Sequence, residues 1–88
     1  MEQPDKLVER ISINPQICGG RPCVRGHRIP AELILDLLAS GVSVEELCSP
    51  QYYPSLTQED ILACVAYANQ YVKSEEIHFF EELAHAKR

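Results

Sequence analysis

Glycine and proline crowd one part of this chain, and their positions limit which elements can form there. Six of the sixteen residues from Pro15 to Pro30 are glycine or proline. Proline removes a backbone donor, and glycine favours the left-handed conformations of tight turns. That segment is therefore predicted to hold turns and very short strands, which leaves the helices to the rest of the chain.

Two strand patterns occur near these turns. Ile11 and Ile13 alternate with polar neighbours, which is the period of a half-buried strand. Short apolar runs also flank Arg25–Gly26, an arrangement that favours a hairpin around a two-residue turn. We therefore expect residues 1–30 to form a small β-hairpin element joined by glycine turns.

The clearest helix follows Pro30, whose fixed φ suits the first position of a helix. Gly41 supplies a C-terminal stop, and the apolar residues between the two recur at helical spacing: Ala31, Ile34, Leu37 and Leu38. Ser43 and Glu46 form a capping-box pattern, which predicts a short second helix that ends before Pro50.

A third helix is predicted to begin at Thr57, with acidic residues in its first turn. Its buried face is expected to combine two neighbouring stripes, Ile61, Val65, Ala68 and Val72 beside Asp60, Cys64, Tyr67 and Tyr71. From Ser74 onward, either this helix continues or a fourth one begins. A continuous helix would be longer than a small core can cover, so part of its apolar face would need another chain.

These elements predict a mainly α fold, helix-turn-helix-like, with three to four helices and a small N-terminal β-hairpin element. We expect a single domain over residues 1–88, divided into a β/turn element (1–30), a helix-turn-helix-like core (31–72) and a C-terminal helix (73–88). A domain of this size buries a limited share of its surface. This favours a homodimer and argues against an enclosed substrate cavity.

Charge is unevenly distributed. Residues 1–30 carry five basic and three acidic residues, whereas residues 31–72 carry six acidic residues and no lysine or arginine. Only the first segment would attract a phosphate backbone, so the candidate nucleic-acid-binding residues are Arg21, Arg25, His27 and Arg28. The alternative is that these side chains are solvated or pair with helix carboxylates. Glu59 and Asp60 at the start of the third helix also argue against simple major-groove recognition.

No catalytic, metal or cofactor site is predicted. Adjacent carboxylates diverge on a helix, and Cys18, Cys23 and His27 lack a fourth ligand at zinc-site spacing. The chain also has no apolar run long enough for a membrane span. We therefore expect a cytoplasmic, non-enzymatic protein that contacts no membrane, whose four cysteines stay reduced without a disulfide.

The run from Gly19 to Pro30, GGRPCVRGHRIP, resembles the glycine-rich signature of the domain-of-unknown-function 433 (DUF433) family. Similar motifs follow at Gly41, residues 43–47 (SVEEL), 53–57 (YPSLT), 59–61 (EDI) and 66–68 (AYA), so that the resemblance covers residues 11–71. It implies a homeodomain-like helix-turn-helix fold and an antitoxin role beside a PIN-like toxin.

The predicted function is an antitoxin-like regulator that binds a toxin-like protein, and DNA as a second partner. The candidate partner-binding residues lie beyond the family-like core at the spacing of helix anchors: Ile77, Phe79, Phe80 and Leu83. Core packing is the alternative for these residues. The alternative function is a protein-interaction or dimerisation module with no nucleic-acid role.

Overall fold

The computed structural model describes the backbone of residues 4–86 and the side chains of residues 6–74. Four helices and two strands follow in the order α1 (Pro4–Leu7), β1 (Ile11–Ser12), β2 (Cys23–Val24), α2 (Ala31–Ala39), α3 (Val44–Leu47) and α4 (Gln58–Ala86). Short 3-10 turns occupy Val8–Arg10 and Cys18–Gly20. The fold is mainly α with a small antiparallel β-hairpin element near its start, as the sequence predicts.

The two strands pair antiparallel, with Ile11 opposite Val24. The chain also reverses at Arg25–Gly26, where the His27 N–H donates to the Val24 carbonyl at 3.0 Å and Gly26 has a φ of +82°. After this turn, however, the returning chain pairs with β2 only through an isolated bridge at Pro30. The ladder cannot continue there because Pro30 has no N–H and α2 begins at the next residue.

Helix starts follow the predicted capping chemistry. At α3, the Ser43 hydroxyl accepts from the Glu46 N–H and the Glu46 carboxylate accepts from the Ser43 N–H, each at 3.1 Å. At α4, Thr57 and Asp60 make the same reciprocal pair at 3.2 and 3.0 Å. Pro30 differs slightly from expectation, since its ψ of 138° places it just before α2 as the capping residue.

The core lies where the short elements pack against the first turns of α4. Its most buried side chains come from β2, α2, α3 and the first turns of α4: Val24, Ile34, Leu47, Ile61, Ala63 and Cys64. Leu56 closes one end of this core, with Tyr52 and Tyr53 partly buried against it. In the described part of the chain, no helix has the length and apolar character required to cross a membrane.

The long fourth helix is continuous through Ser74, and its buried face is shorter than predicted. Val65, Tyr71 and Val72 are 42%, 60% and 54% exposed, so their assignment to the buried face is wrong. Every side chain from Asn69 to Ser74 is exposed. The physical reason is size: the short elements cover one side of the first turns of α4 and do not extend along the rest of it.

Candidate binding surfaces

The predicted basic residues lie around the turn that follows β2. Arg21, Arg25 and Arg28 are exposed and His27 is partly buried; we call these four residues the basic edge. Two bonds fix the position of Arg25, because its N–H donates to the Arg10 carbonyl at 2.6 Å and its Nε donates to the Glu9 carbonyl at 3.0 Å. These two bonds therefore hold the positively charged Arg25 against the N-terminal segment.

Among the residues whose side chains the structure describes, Arg21 pairs with a helix carboxylate. Its Nη1 lies 3.8 Å from Glu32 Oε1, and the two side chains are 57% and 66% exposed. Its Nε donates to the Cys18 carbonyl at 3.2 Å. An exposed pair at that distance contributes little and is screened by salt. The alternative interpretation, in which the basic side chains pair with helix carboxylates, therefore holds for Arg21, where the ion pair is weak.

Arg10 and Asp60 form an ion pair that the sequence did not indicate. Arg10 Nη1 lies 3.1 Å from Asp60 Oδ1, with the side chains 36% and 10% exposed. The second oxygen of Asp60 accepts from the Thr57 N–H. Both carboxylate oxygens are therefore engaged within the fold. Asp60 is buried, as its predicted place on the buried face of this helix requires, and its carboxylate is paired with Arg10.

Beyond the core, α4 presents a mixed aromatic and aliphatic surface. The rings of Tyr67 and Tyr71 meet edge to face with centroids 5.3 Å apart, and their hydroxyls lie 3.5 Å apart. That hydrogen bond, with burial as the second cause, raises the pKa of Tyr67 to about 12, so the phenol is neutral at physiological pH. We call Val65, Tyr67, Tyr71 and Val72 the α4 face.

A shallow groove of about 210 Å³ runs beside the α4 face, lined by Tyr67, Gln70, Tyr71 and Ser74. The predicted partner-binding residues continue the same helix. Their backbone is part of α4, but their side chains lie outside the described residues: Ile77, Phe79, Phe80 and Leu83. Their predicted role in partner binding stays a prediction.

A second depression, of about 330 Å³, is lined by Val44, Glu45, Cys48 and Gln58. Burial, with Asp60 and Glu59 as further causes, raises the pKa of the Cys48 thiol. A protonated thiol is a weak nucleophile and a poor metal ligand. Among the described residues there is no group of three or more histidine, cysteine or acidic side chains that could hold a metal ion.

The matches to known proteins centre on the glycine-rich region and the helical core. The family model described as "Protein of unknown function (DUF433)" matches residues 11–68. The uncharacterized protein y4eO of Sinorhizobium fredii is 38% identical over 60 residues, which are 68% of this chain and 26% of that protein. This chain thus spans about a quarter of the length of that relative.

A solved structure shows the same architecture. The crystal structure of a DUF433 member from Anabaena variabilis aligns with a TM-score of 0.66 and 31% sequence identity, covering 84% of this chain and 71% of that one. The family match begins at β1 and ends within α4, so it includes the basic edge and the core. On the family match, the sequence relative and the shared architecture, this chain belongs to the DUF433 family.

Proposed function

We propose that this protein is an antitoxin-like binding protein that captures a PIN-like toxin along α4 and contacts DNA through the basic edge. The main support for this proposal is the part of α4 that the rest of the domain does not cover. The helix continues to Ala86, whereas its side chains are already exposed from Asn69 to Ser74. A helix that leaves its own core with apolar side chains in solvent is typical of one that packs into a partner.

The chemistry of the α4 face suits a protein partner. Tyr67 and Tyr71 stand one helical turn apart, and each combines an apolar ring with a hydroxyl that tolerates solvent. Val72 adds an exposed aliphatic surface next to Tyr71. Aromatic anchors at this spacing are those that enter a groove on another protein. The α4 face is therefore the proposed start of the toxin-binding surface, and the distal helix its continuation.

The first prediction tests the helix. A chain that lacks residues 77–88 is expected to lose capture of the PIN-like toxin, because the distal anchors are removed while the core residues remain. Affinity purification of the tagged full chain from its host, with mass spectrometry, should recover a PIN-like nuclease in stoichiometric amount. The truncated chain should recover none, with unchanged near-UV circular dichroism.

Point variants within the described helix sharpen this test. The double variant Tyr71→Ala/Val72→Ala is expected to weaken capture at least about tenfold, which corresponds to about 1.4 kcal/mol. Asn69→Ala is the matched control, since Asn69 is an exposed polar residue on the same turns, and it should leave capture unchanged. Undiminished capture by the truncated chain and the double variant would reject the proposed surface.

The basic edge supports DNA as the second partner. Arg25 and Arg28 are exposed, and guanidinium groups match phosphate geometry. Asp60 is already engaged by Arg10 and Thr57, which reduces the repulsion that two free carboxylates at the start of α4 would cause. Glu59 remains there, so the proposed contact is the basic edge and not the first turn of α4.

The second prediction concerns salt. Binding to duplex DNA from upstream of the gene is expected to weaken steeply as salt rises, and Arg28→Ala should reduce the slope of log K against log salt by about 1. Fluorescence anisotropy at several salt concentrations measures both. Lys73→Ala is the control, because Lys73 is an exposed cation on α4 far along the chain from the basic edge.

The alternative function gives a different result in the same titration. A protein-interaction or dimerisation module with no nucleic-acid role would show no DNA binding even at low salt. The strongly acidic segment from residue 31 to residue 72 favours this second candidate, because it repels phosphate.

A further inference from the structure

One stripe along α4 carries a seven-residue repeat. Counted from Leu62, its positions follow one another at alternating intervals of three and four residues, which are the a and d positions of a coiled-coil heptad. Six of the eight positions are apolar and two are polar: Leu62, Val65, Asn69, Val72, Glu76, Phe79, Leu83 and Ala86. The repeat extends over more than three heptads, and a repeat of that length is typical of a helix that pairs with another helix.

The first four positions of this repeat lie in the described part of the helix, and the domain itself leaves them largely uncovered. Leu62 is partly buried against the core. Val65 and Val72 are exposed apolar residues, and Asn69 between them is exposed as well. At about 100° per residue, the four side chains fall within a sector of about 80° around the helix axis. We call these four residues the α4 seam.

The α4 seam and the tyrosine pair lie on different sides of the helix. Tyr67 and Tyr71 are about 100° or more around the axis from Val65 and Val72. A helix packed on the seam therefore leaves open the groove that the two tyrosines help to line. The tyrosine side of the α4 face remains accessible to the proposed toxin in that arrangement.

We propose that the α4 seam pairs with the seam of a second copy of this chain in a parallel, two-stranded coiled coil. Asn69 indicates which partner fits. An apolar groove on an unrelated protein would bury its amide without a hydrogen-bonding partner, which is unfavourable. In a parallel pair of identical helices, each Asn69 lies opposite its own copy, and asparagine at a single a position of this kind fixes the register of the two strands.

The surroundings of the seam favour two strands over a larger bundle. Leucine at a positions with β-branched residues at d positions suits more than two strands, whereas asparagine at an a position opposes them. One flank of the seam is also covered, because Ile61 lies about 40° around the helix from Val65 and is fully buried by the domain. A helix in a larger bundle needs neighbours on both flanks, so the seam accepts one partner helix.

Sedimentation equilibrium of the purified full chain, without toxin or DNA, tests the pairing. We expect the mass of a dimer, with a dimer fraction that falls on dilution. Asn69→Asp places two carboxylates opposite each other and should raise the dimer Kd at least about tenfold. Gln70→Glu is the matched control, because it makes the same amide-to-carboxylate change at an exposed neighbour outside the seam, and it should leave the Kd unchanged.

A charge swap tests the parallel arrangement. Asn69→Lys should weaken the dimer as Asn69→Asp does, because like charges again lie opposite each other. An equimolar mixture of these two variants should recover the dimer mass, since position 69 meets its own copy in a parallel pair and opposite charges then face each other. Glu76→Gln, which removes a charge at the next a position of the sequence, should lower the Kd of the otherwise unmodified chain.

Circular dichroism confirms that each variant is folded. The proposal is overturned by an unmodified chain that stays monomeric at every concentration, or by one with the mass of a trimer or tetramer. It is also overturned by equal weakening in Asn69→Asp and Gln70→Glu, by a mixture that stays monomeric, or by an unchanged Kd in Glu76→Gln. Because neither toxin nor DNA is present, these outcomes are separate from those that test the proposed function.

Discussion

Replacing Ile61 with alanine is expected to lower the free energy of unfolding by about 3 kcal/mol. Ile61 is fully buried in the first turn of α4, where the short elements pack against this helix. The substitution removes apolar contacts and leaves a cavity that the surrounding backbone fills only in part. Small domains have a stability of a few kcal/mol, so this one change should remove a large part of it. Urea unfolding followed by circular dichroism measures the loss.

Val72→Ala is the matched control for Ile61→Ala. Both substitutions truncate a β-branched residue on the same helix, but Val72 is exposed, so its loss should stay within about 0.5 kcal/mol. Equal losses at the two positions would contradict the described packing of α4.

The same unfolding measurement also tests the predicted homodimer. If a second copy covered Val72, the loss on Val72→Ala would depend on protein concentration.

Asp60→Ala is expected to cost about 2 kcal/mol, the second largest effect. The substitution removes the carboxylate that accepts the Thr57 N–H, a capping interaction typically worth about 1 kcal/mol. It also leaves Arg10 without the carboxylate that lies 3.1 Å away. Because Arg10 is about one-third exposed, water and salt screen this second loss to about 1 kcal/mol. The shift in the urea unfolding midpoint checks the total.

Further substitutions at and near Asp60 separate the contribution of the helix cap from that of the ion pair with Arg10. Glu59→Ala, which removes an adjacent acid from the same helical turn, should change stability by less than about 0.5 kcal/mol. Asp60→Asn retains an oxygen for the Thr57 N–H and should recover about half of the loss. A double-mutant cycle between Arg10→Ala and Asp60→Ala isolates the ion pair. Strictly additive losses would show that the pair contributes nothing.

The helix starts and the turns could be predicted from sequence because their chemistry is local. Ser43 and Glu46 satisfy each other's backbone donors across three residues, and Gly41 stops α2 through its own backbone freedom. The exposure of Arg21, Arg25 and Arg28 follows for a similar reason, since charged residues on a glycine turn stay in water. Whether these arginines bind DNA remains a prediction.

The burial of α4 could not be predicted in the same way. Periodicity placed Ile61, Val65 and Val72 on one stripe, but only Ile61 is buried. A repeat along a helix shows which residues share a face, and it does not show how far the neighbouring elements extend along that face. In a small domain, those elements end before the helix does.

From Pro15 onward, the amino-acid sequence alone determined the order of turns and helices, because each cap, stop and reversal depends on residues within a few positions of one another. The short helix α1 (Pro4–Leu7), which lies within the predicted β/turn element, was not predicted. The tertiary structure decided which part of α4 is covered and which carboxylate is neutralised. Arg10 and Asp60 are 50 residues apart in the chain, and no local pattern links them. Such pairs form only when packing brings distant segments together, which is why the covered length of α4 became visible only in the folded chain.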